Sequence, residues 1–514
     1  MAFDFIVPTN AQLLYQDRET RYIFARTLIH GRLELQSPTL VSNGASDLPT
    51  DMALLRDLVE ARALIPGSSI AGALRAYLKK FGYDAAALFG AELSHEASEG
   101  DQSALLVSDA LSTTIVLSMV RDGVRIDGAT RTASAGAKYD LELLPAGTCF
   151  DLYFELLHEV PFDAEKKCPM WDDSINHNQQ RLELLAQALY GLETEQIALG
   201  MRKQRGLGLC KVTNWQIWHY RLTDPAQMLK WLELKRDDLS KPWLELDRDH
   251  PLQPFYSGPS IAAGLNLPLA QLPRSQCQIR VEFGLDQSLL IRSASSDPYA
   301  PDDRYLETRW ADDTACPVIP GTSWAGIMRH RAEKILATFK NNAQTLLEPD
   351  ELIKALFGYV ATDAKARTSK AQKSRVRFHD SLIHQADIDY IQTRIAVDRF
   401  TGGPYPSALL AEQPVWGLSE TQIVLDLTIE KFEAYDLGLL VLVIKDLWLG
   451  DLTVGGEQSI GRGVLAGRSF TLWINGEDYQ FRQAGDQLTL EPKTAEKLQA
   501  YVNAFLDKVG VRYV

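Results

Sequence analysis

The chain has little of what marks a secreted, zinc-bound or membrane-spanning protein. Its 514 residues include five cysteines (Cys149, Cys168, Cys210, Cys277 and Cys316), odd in number, scattered and never at Cys-x-x-Cys spacing. That pattern argues against a disulfide framework or a zinc cluster and fits a reducing, cytoplasmic setting. No apolar run approaches the ~18 residues that read as a membrane span. The N-terminal Met1-Ala2-Phe3-Asp4-Phe5 has no basic leader, so neither a signal peptide nor a membrane partner is expected. Positive charge is not in surplus: the net charge is −14, which by itself argues against non-specific nucleic-acid binding. A Gly-x4-Gly-Lys-Ser/Thr loop and a strand–GxGxxG–helix unit are both missing, which excludes the P-loop and dinucleotide readings.

What is present is a repeat. Ile65-Pro66-Gly67-Ser68-Ser69-Ile70-Ala71-Gly72-Ala73-Leu74-Arg75 returns roughly half a chain length later as Ile319-Pro320-Gly321-Thr322-Ser323-Trp324-Ala325-Gly326-Ile327-Met328-Arg329. Pro-Gly ends a strand and turns. Ser68/Ser69 and Thr322/Ser323 then read as hydroxyl caps of the helix that follows. Gly72 and Gly326 sit one turn in, where a missing Cβ admits another backbone. Arg75 and Arg329 follow on the same helical face. A capped helix N-terminus of this kind suits a phosphate, although an ordinary strand–turn–helix would look the same in a single copy.

Further landmarks repeat in the same order. Leu88-Phe89-Gly90 is echoed by Leu356-Phe357-Gly358, and the strand end Leu106-Val107-Ser108-Asp109 by Arg377-Phe378-His379-Asp380. The Gly- and Arg-rich Arg121–Asp140, with Arg125, Arg131 and Lys138, answers to Arg377–Gly403, with Arg394 and Arg399. The basic glycine loop Gly200–Val212, with Arg202, Lys203, Arg205 and Lys211, answers to Gly455–Val464, with Arg462. A second basic stretch, residues 364–377, holds no acid. Proline-rich residues 223–275 read as a connector with a helix near Pro225–Leu234, and Pro492–Val509 as an amphipathic helix. The expected organisation is a first module over 1–222, the connector 223–275, a second module over 276–475 and a helical tail over 476–514. Leu439–Ile444, the most apolar piece, reads as a buried strand, and His30-Gly31 as a break between two short strands.

Each half resembles a RAMP-superfamily module, most closely the backbone subunit of CRISPR type III effector complexes. The resemblance covers roughly 20–222 and 275–475, and two modules in one chain look like the fused double backbone subunits of type III-D-like complexes. It implies an α+β fold of two tandem ferredoxin-like (RRM-like) modules with inserted thumb hairpins. It also implies a guide RNA along the modules, a single-stranded target RNA, other effector subunits as partners and a role in antiviral defence. The thumbs map to Arg121–Asp140 and Arg377–Gly403, where arginines for phosphate and an apolar tip suit the displacement of a base. In the family an aspartate ahead of the Pro-Gly turn supports target cleavage. Asp51 fits it, with Asp47 and Asp57 as competitors. The same distance before Pro320 lands on Tyr305, so the second module is either degenerate or uses Asp303. An exposed aspartate is a poor base at neutral pH. Orienting a ribose 2′-OH, or holding Mg²⁺ or another divalent cation, suits Asp51 better. Two alternatives stand beside this one: a non-catalytic guide-binding scaffold, and a guide-precursor endoribonuclease using His30 as acid or base.

Overall fold

The computed structural model describes residues 22–42, 50–91, 102–127, 130, 132–163, 168–233, 254–269, 276–293, 299–340, 349–359, 371–485 and 487–510. Its sequence repeat is a structural one. In the first half Tyr22–Leu35 lies between Cys149–Val160 and Cys210–Arg221, all antiparallel, with Leu105–Val107 beyond Cys149–Val160. In the second half Gln276–Asp286 lies between Gln422–Glu430 and Val464–Ile474, with Val376–Phe378 beyond Gln422–Glu430.

Alternation along the central strands builds the cores. Ile29 faces Phe154 and Ile217 across the ladder, and all three are buried against the helices Gly67–Lys80 and Ser174–Glu193. Val281, Leu425 and Phe470 repeat this arrangement. One apolar cluster runs from Phe24 to Leu265 and the other from Cys277 to Val509, so each half has its own core.

His30-Gly31 does not break the first strand, which is continuous over Tyr22–Leu35. Gly31 is needed there because a Cβ would meet the Trp215 ring at 2.5 Å. Leu439–Ile444 is helical within Ala434–Trp448, and its long buried apolar stripe is what made it look like a core strand. The connector is less of a linker than its prolines suggest. Tyr256–Gly258 adds an edge strand to the first sheet, and Ile261 and Leu265 enter the first core. The tail helix Pro492–Val509 packs Tyr501 and Phe505 into the second core, beside sheet-extending strands Glu477–Ala484 and Gln487–Leu490. No helix among the described residues is long and apolar enough to cross a membrane. Cys149, Cys210, Cys277 and Cys316 are free thiols.

Candidate nucleic-acid interface

The two turn helices start at the glycine, so the expected hydroxyl caps lie inside the first turn. In Gly67–Lys80 the cap position is Pro66, which offers no side-chain bond, and Ser68 and Ser69 are exposed. Thr322 and Ser323 occupy the same places in Gly321–Lys340. The anion that each helix end attracts is an aspartate of its own module. Gly67 N–H donates to Asp109 Oδ1 at 2.7 Å, and Gly321 N–H to Asp380 Oδ1 at 2.8 Å. The repeated Leu-x-Val-Ser-Asp and Val-x-Phe-His-Asp strand ends are therefore helix caps. Gly72 and Gly326 face open space, and the close approach falls instead at the first glycines. A Cβ on Gly67 would lie 2.3 Å from Val107 O, and one on Gly321 2.5 Å from Phe378 O. Arg75 and Arg329 hold the Leu-Phe-Gly turns, donating to Phe89 O at 2.6 Å and to Gly358 O at 3.2 Å.

The two halves meet where the first glycine loop lands on the second turn helix. Lys203–Arg205 is a 3-10 turn set between left-handed Arg202 (φ 54°) and Gly206 (φ 84°). Arg205 O covers Gly321, and a Cβ on Gly206 would lie 2.8 Å from Phe378 O. The base of the first hairpin closes the seam: Arg121 Nη1 reaches Asp380 Oδ2 at 2.8 Å, with both side chains under a tenth exposed.

This seam gathers like charges. Burial, then the neighbouring Arg377 and Lys373, disfavours the charged form of Lys203. Burial, then Arg329, does the same at Arg205, and burial again at Arg377. Burial works against ionisation of Glu430 too, but Lys80, Lys373 and Arg377 outweigh it and hold that carboxyl below its usual range. Lys80 and Lys373 take the two Glu430 oxygens at 3.0 and 3.4 Å. Buried nitrogens Nη1 of Arg205, Nε of Arg377 and Nη2 of Arg121 have no hydrogen-bond partner among the described residues. Cations here outnumber the acids Glu430 and Asp380, and a polyanion would neutralise the excess. Arg202 adds to the like charge at Arg205, its own guanidinium 4.3 Å from the Tyr139 ring centre.

Two hairpins project beside the seam. Met119–Ile126 pairs with Ala133–Leu143, and Gln392–Val397 with Pro404–Gln413. The second thumb is therefore 392–413, later than the sequence placed it, because Val376–Phe378 and Ser381–His384 are core strands. Both hairpins carry exposed apolar side chains where a solvated loop would be polar. Val124 and Ile126 lie on the first, and Val397 and Phe400 on the second, with Phe400 95% exposed. Arg125 and Arg399 stand among them, also exposed, and Arg131 lies outside the described residues. Arg394 and Arg462 are not available to a ligand. Arg462 is 2% exposed and donates to Glu412 and Gln392 at 2.8 Å, while Arg394 pairs with Glu412 and Glu457.

Asp51 is exposed beside the base of the first hairpin, its Oδ2 accepting the Asp140 N–H at 2.9 Å. The same bond exists in the second module, made by Asp302: its Oδ2 accepts the Ala411 N–H at 2.8 Å. The flanking ladder agrees, since Met52 bridges Leu141 in parallel and Asp303 bridges Glu412 in parallel. Asp302 is thus the counterpart of Asp51. Asp303 is the neighbour, with its carboxylate on Arg292 at 3.1 Å. Counting back from Pro320 missed it because this loop is three residues longer and folds as the strand pair Glu307–Arg309 and Ala315–Ile319. Asp57 caps its own turn, accepting from Val59 N and Glu60 N, and Asp47 lies outside the described residues. No three metal-ligating side chains converge among the described residues. His30 sits within the sheet, 9% exposed, with both ring nitrogens engaged by Gln216 at 2.8 Å and Asp151 at 3.1 Å.

A family model for the RAMP superfamily matches residues 32–211 and again 289–466, one match on each half. The chain belongs to the RAMP superfamily. RAMP proteins work in CRISPR ribonucleoprotein complexes with RNA and other subunits. No curated protein matches the chain. Both RAMP matches span a turn helix, a hairpin and most of a glycine loop, the elements that meet at the seam. Asp302, and the capping role of Asp109 and Asp380, were what sequence reasoning missed. The repeat had already paired Asp109 with Asp380 as strand ends, but not as helix caps, and the longer second loop hid Asp302.

Proposed function

We propose that the chain is a guide-RNA-binding backbone subunit of a CRISPR type III effector complex, of the type III-D-like fused kind, acting in the cytoplasm in antiviral defence. One observation carries the reading: the desolvated, under-neutralised cations Lys203, Arg205 and Arg377 at the seam between modules. A phosphate backbone crossing that seam supplies the missing negative charge, and the hairpins on either side reach toward the paired strand. Each module is read as a ferredoxin-like unit, on the strand order of its sheet and its two long helices.

Target cleavage follows as the fuller form of this reading. The exposed apolar hairpin residues would wedge into the guide–target duplex and leave a target nucleotide unstacked beside the hairpin base. There Asp51 and Asp302 each have one oxygen fixed by a backbone N–H and the other with no hydrogen-bond partner among the described residues. That second oxygen suits a ribose 2′-OH, orienting it toward attack on its own 3′-phosphate. A lone carboxylate also suits a cation that keeps most of its waters, so Asp51 and Asp302 would each be the single protein ligand of a Mg²⁺ held otherwise by RNA oxygens. When bound, that ion would offset charge developing at the phosphate. The second reading is a scaffold that binds without cutting. The test is cleavage of guide-complementary RNA by the assembled complex. Asp51→Ala and Asp302→Ala are each expected to delete one product while the complex still forms. Unchanged products from both variants decide for the scaffold.

A further inference from the structure

The two hairpin bases share one backbone plan and are held by opposite chemistry. In the first module Leu141 follows Asp140, whose N–H holds Asp51, and Leu141 bridges Met52 in the ladder. In the second Glu412 follows Ala411, whose N–H holds Asp302, and Glu412 bridges Asp303. Leu141 and Glu412 therefore occupy the same position. The glycine loops supply a second such pair. Leu207 lies between left-handed Gly206 and Gly208, and Arg462 between left-handed Gly461 and Gly463. Leu141 and Leu207 are buried together in a small apolar cluster with Leu40 and Leu143. Glu412 and Arg462 stand in these places at 0% and 2% exposure. Arg394 and Arg462 both bind Oε2 of Glu412, and its Oε1 has no hydrogen-bond partner among the described residues. A carboxylate buried this deeply costs stability unless it is paired, and leucine at the first site shows that the fold does not require it. What an ion pair adds over apolar packing is a fixed geometry.

We propose that Glu412 is a positioning residue for Asp302: pinned by Arg394 and Arg462, it fixes the strand whose adjoining amide, Ala411 N–H, sets the Asp302 carboxylate. Arg394 lies on the other strand of the hairpin and Arg462 in the second glycine loop, so one carboxylate ties three segments together beside Asp302. Arg394 also serves Glu457, at 2.6 Å. Loss of Arg462 alone leaves Glu412 buried against one shared cation, and the strand must shift to let water reach the carboxylate. Loss of Glu412 and Arg462 together, each to leucine, installs the residues of the first module and leaves the Arg394–Glu457 pair in place. The functional weight of the proposal rests on reading Asp302 as the residue that faces the target. The placement of Asp302 is measured without RNA.

Two measurements test it together: hydrogen exchange at the Ala411 amide in the RNA-free full-length chain, and single-turnover cleavage of guide-complementary RNA by the assembled complex. Arg462→Leu is expected to speed exchange at Ala411 by about 10-fold or more, as Asp302→Ala does, while the core strand Gln422–Glu430 stays protected. At saturating RNA it is expected to slow the Asp302-dependent product by about 100-fold. RNA affinity and the Asp51-dependent product are expected to stay as in the wild type. Glu412→Gln, which keeps the volume and drops the charge, is expected to move both readouts in the same direction. The double variant Glu412→Leu/Arg462→Leu is expected to bring both most of the way back. That recovery is one a general loss of stability would not give. Wild-type exchange at Ala411 in both single variants, a loss of protection that spreads into the core strand, or a double variant no better than Arg462→Leu overturns the proposal. The expected exchange pattern in a complex whose wild type makes no Asp302-dependent product supports the placement of Asp302 by Glu412 and refutes the cleavage reading alone.

Discussion

Replacing Lys203, Arg205 and Arg377 together with alanine should move RNA affinity and stability in opposite directions. The three cations lie in one seam, and burial disfavours the charge of each. If each neutralises one phosphate of a single strand, the slope of log K against log salt loses about 0.7 per cation, or about 2 in all. Between 50 and 200 mM salt that slope difference amounts to about a 16-fold difference in how far affinity falls. Without RNA the same residues repel one another and leave nitrogens of Arg205 and Arg377 unpartnered, so their removal should leave the melting temperature unchanged or raise it. Fluorescence anisotropy with a labelled single strand across a salt series, and a thermal melt of the RNA-free protein, read the two effects. A wild-type salt slope combined with a lowered melting temperature would refute the reasoning, because the cations would then be structural.

Other consequences follow from particular contacts. Asp380→Ala strips the cap from Gly321 and leaves Arg121 buried and unpaired. It should cost about 3–5 kcal/mol in denaturant unfolding, and adding Arg121→Leu should recover part of that loss. Asp303→Ala should leave target cleavage products unchanged where Asp302→Ala removes one, which gel analysis of the assembled complex resolves. Burial, then His219, holds the ring of His158 well below its usual titration range, where it shares the Thr27 hydroxyl with His219. The unfolded state then binds a proton that the folded state refuses. Stability should therefore fall as pH drops below about 6.5, by at most about 1.4 kcal/mol per pH unit, and be full above it. His158→Gln should flatten that slope in unfolding curves taken from pH 7 to 5.

The repeat was legible because the turn, the Leu-Phe-Gly corner and the glycine loop each need particular residues. Glycine at 67 and 321 is demanded by a carbonyl within 2.5 Å, and Gly206 by a left-handed φ with a backbone beneath it. Such local demands survive in sequence. What depends on register across long separations did not. Asp302 was hidden by a three-residue extension, and Arg394 and Arg462 looked like free arginines until Glu412 and Glu457 folded onto them. Arg377 stood in a basic run but was not singled out, since only the docking of Gly206 on Phe378 brings it beside Lys203. Leu439–Ile444 was misread for a different reason: an apolar run of that length has no periodicity to separate a buried helix from a buried strand.

The most direct test of the seam is the map of contacts made by RNA carrying 4-thiouridine, crosslinked to the full-length protein and read by mass spectrometry. The account predicts crosslinks in the peptides around Met201–Leu207 and Arg377–Asp380, with further ones on the hairpins 119–143 and 392–413. Crosslinks confined to the outer sheet face around His30 and Tyr153, with none at the seam, would contradict it.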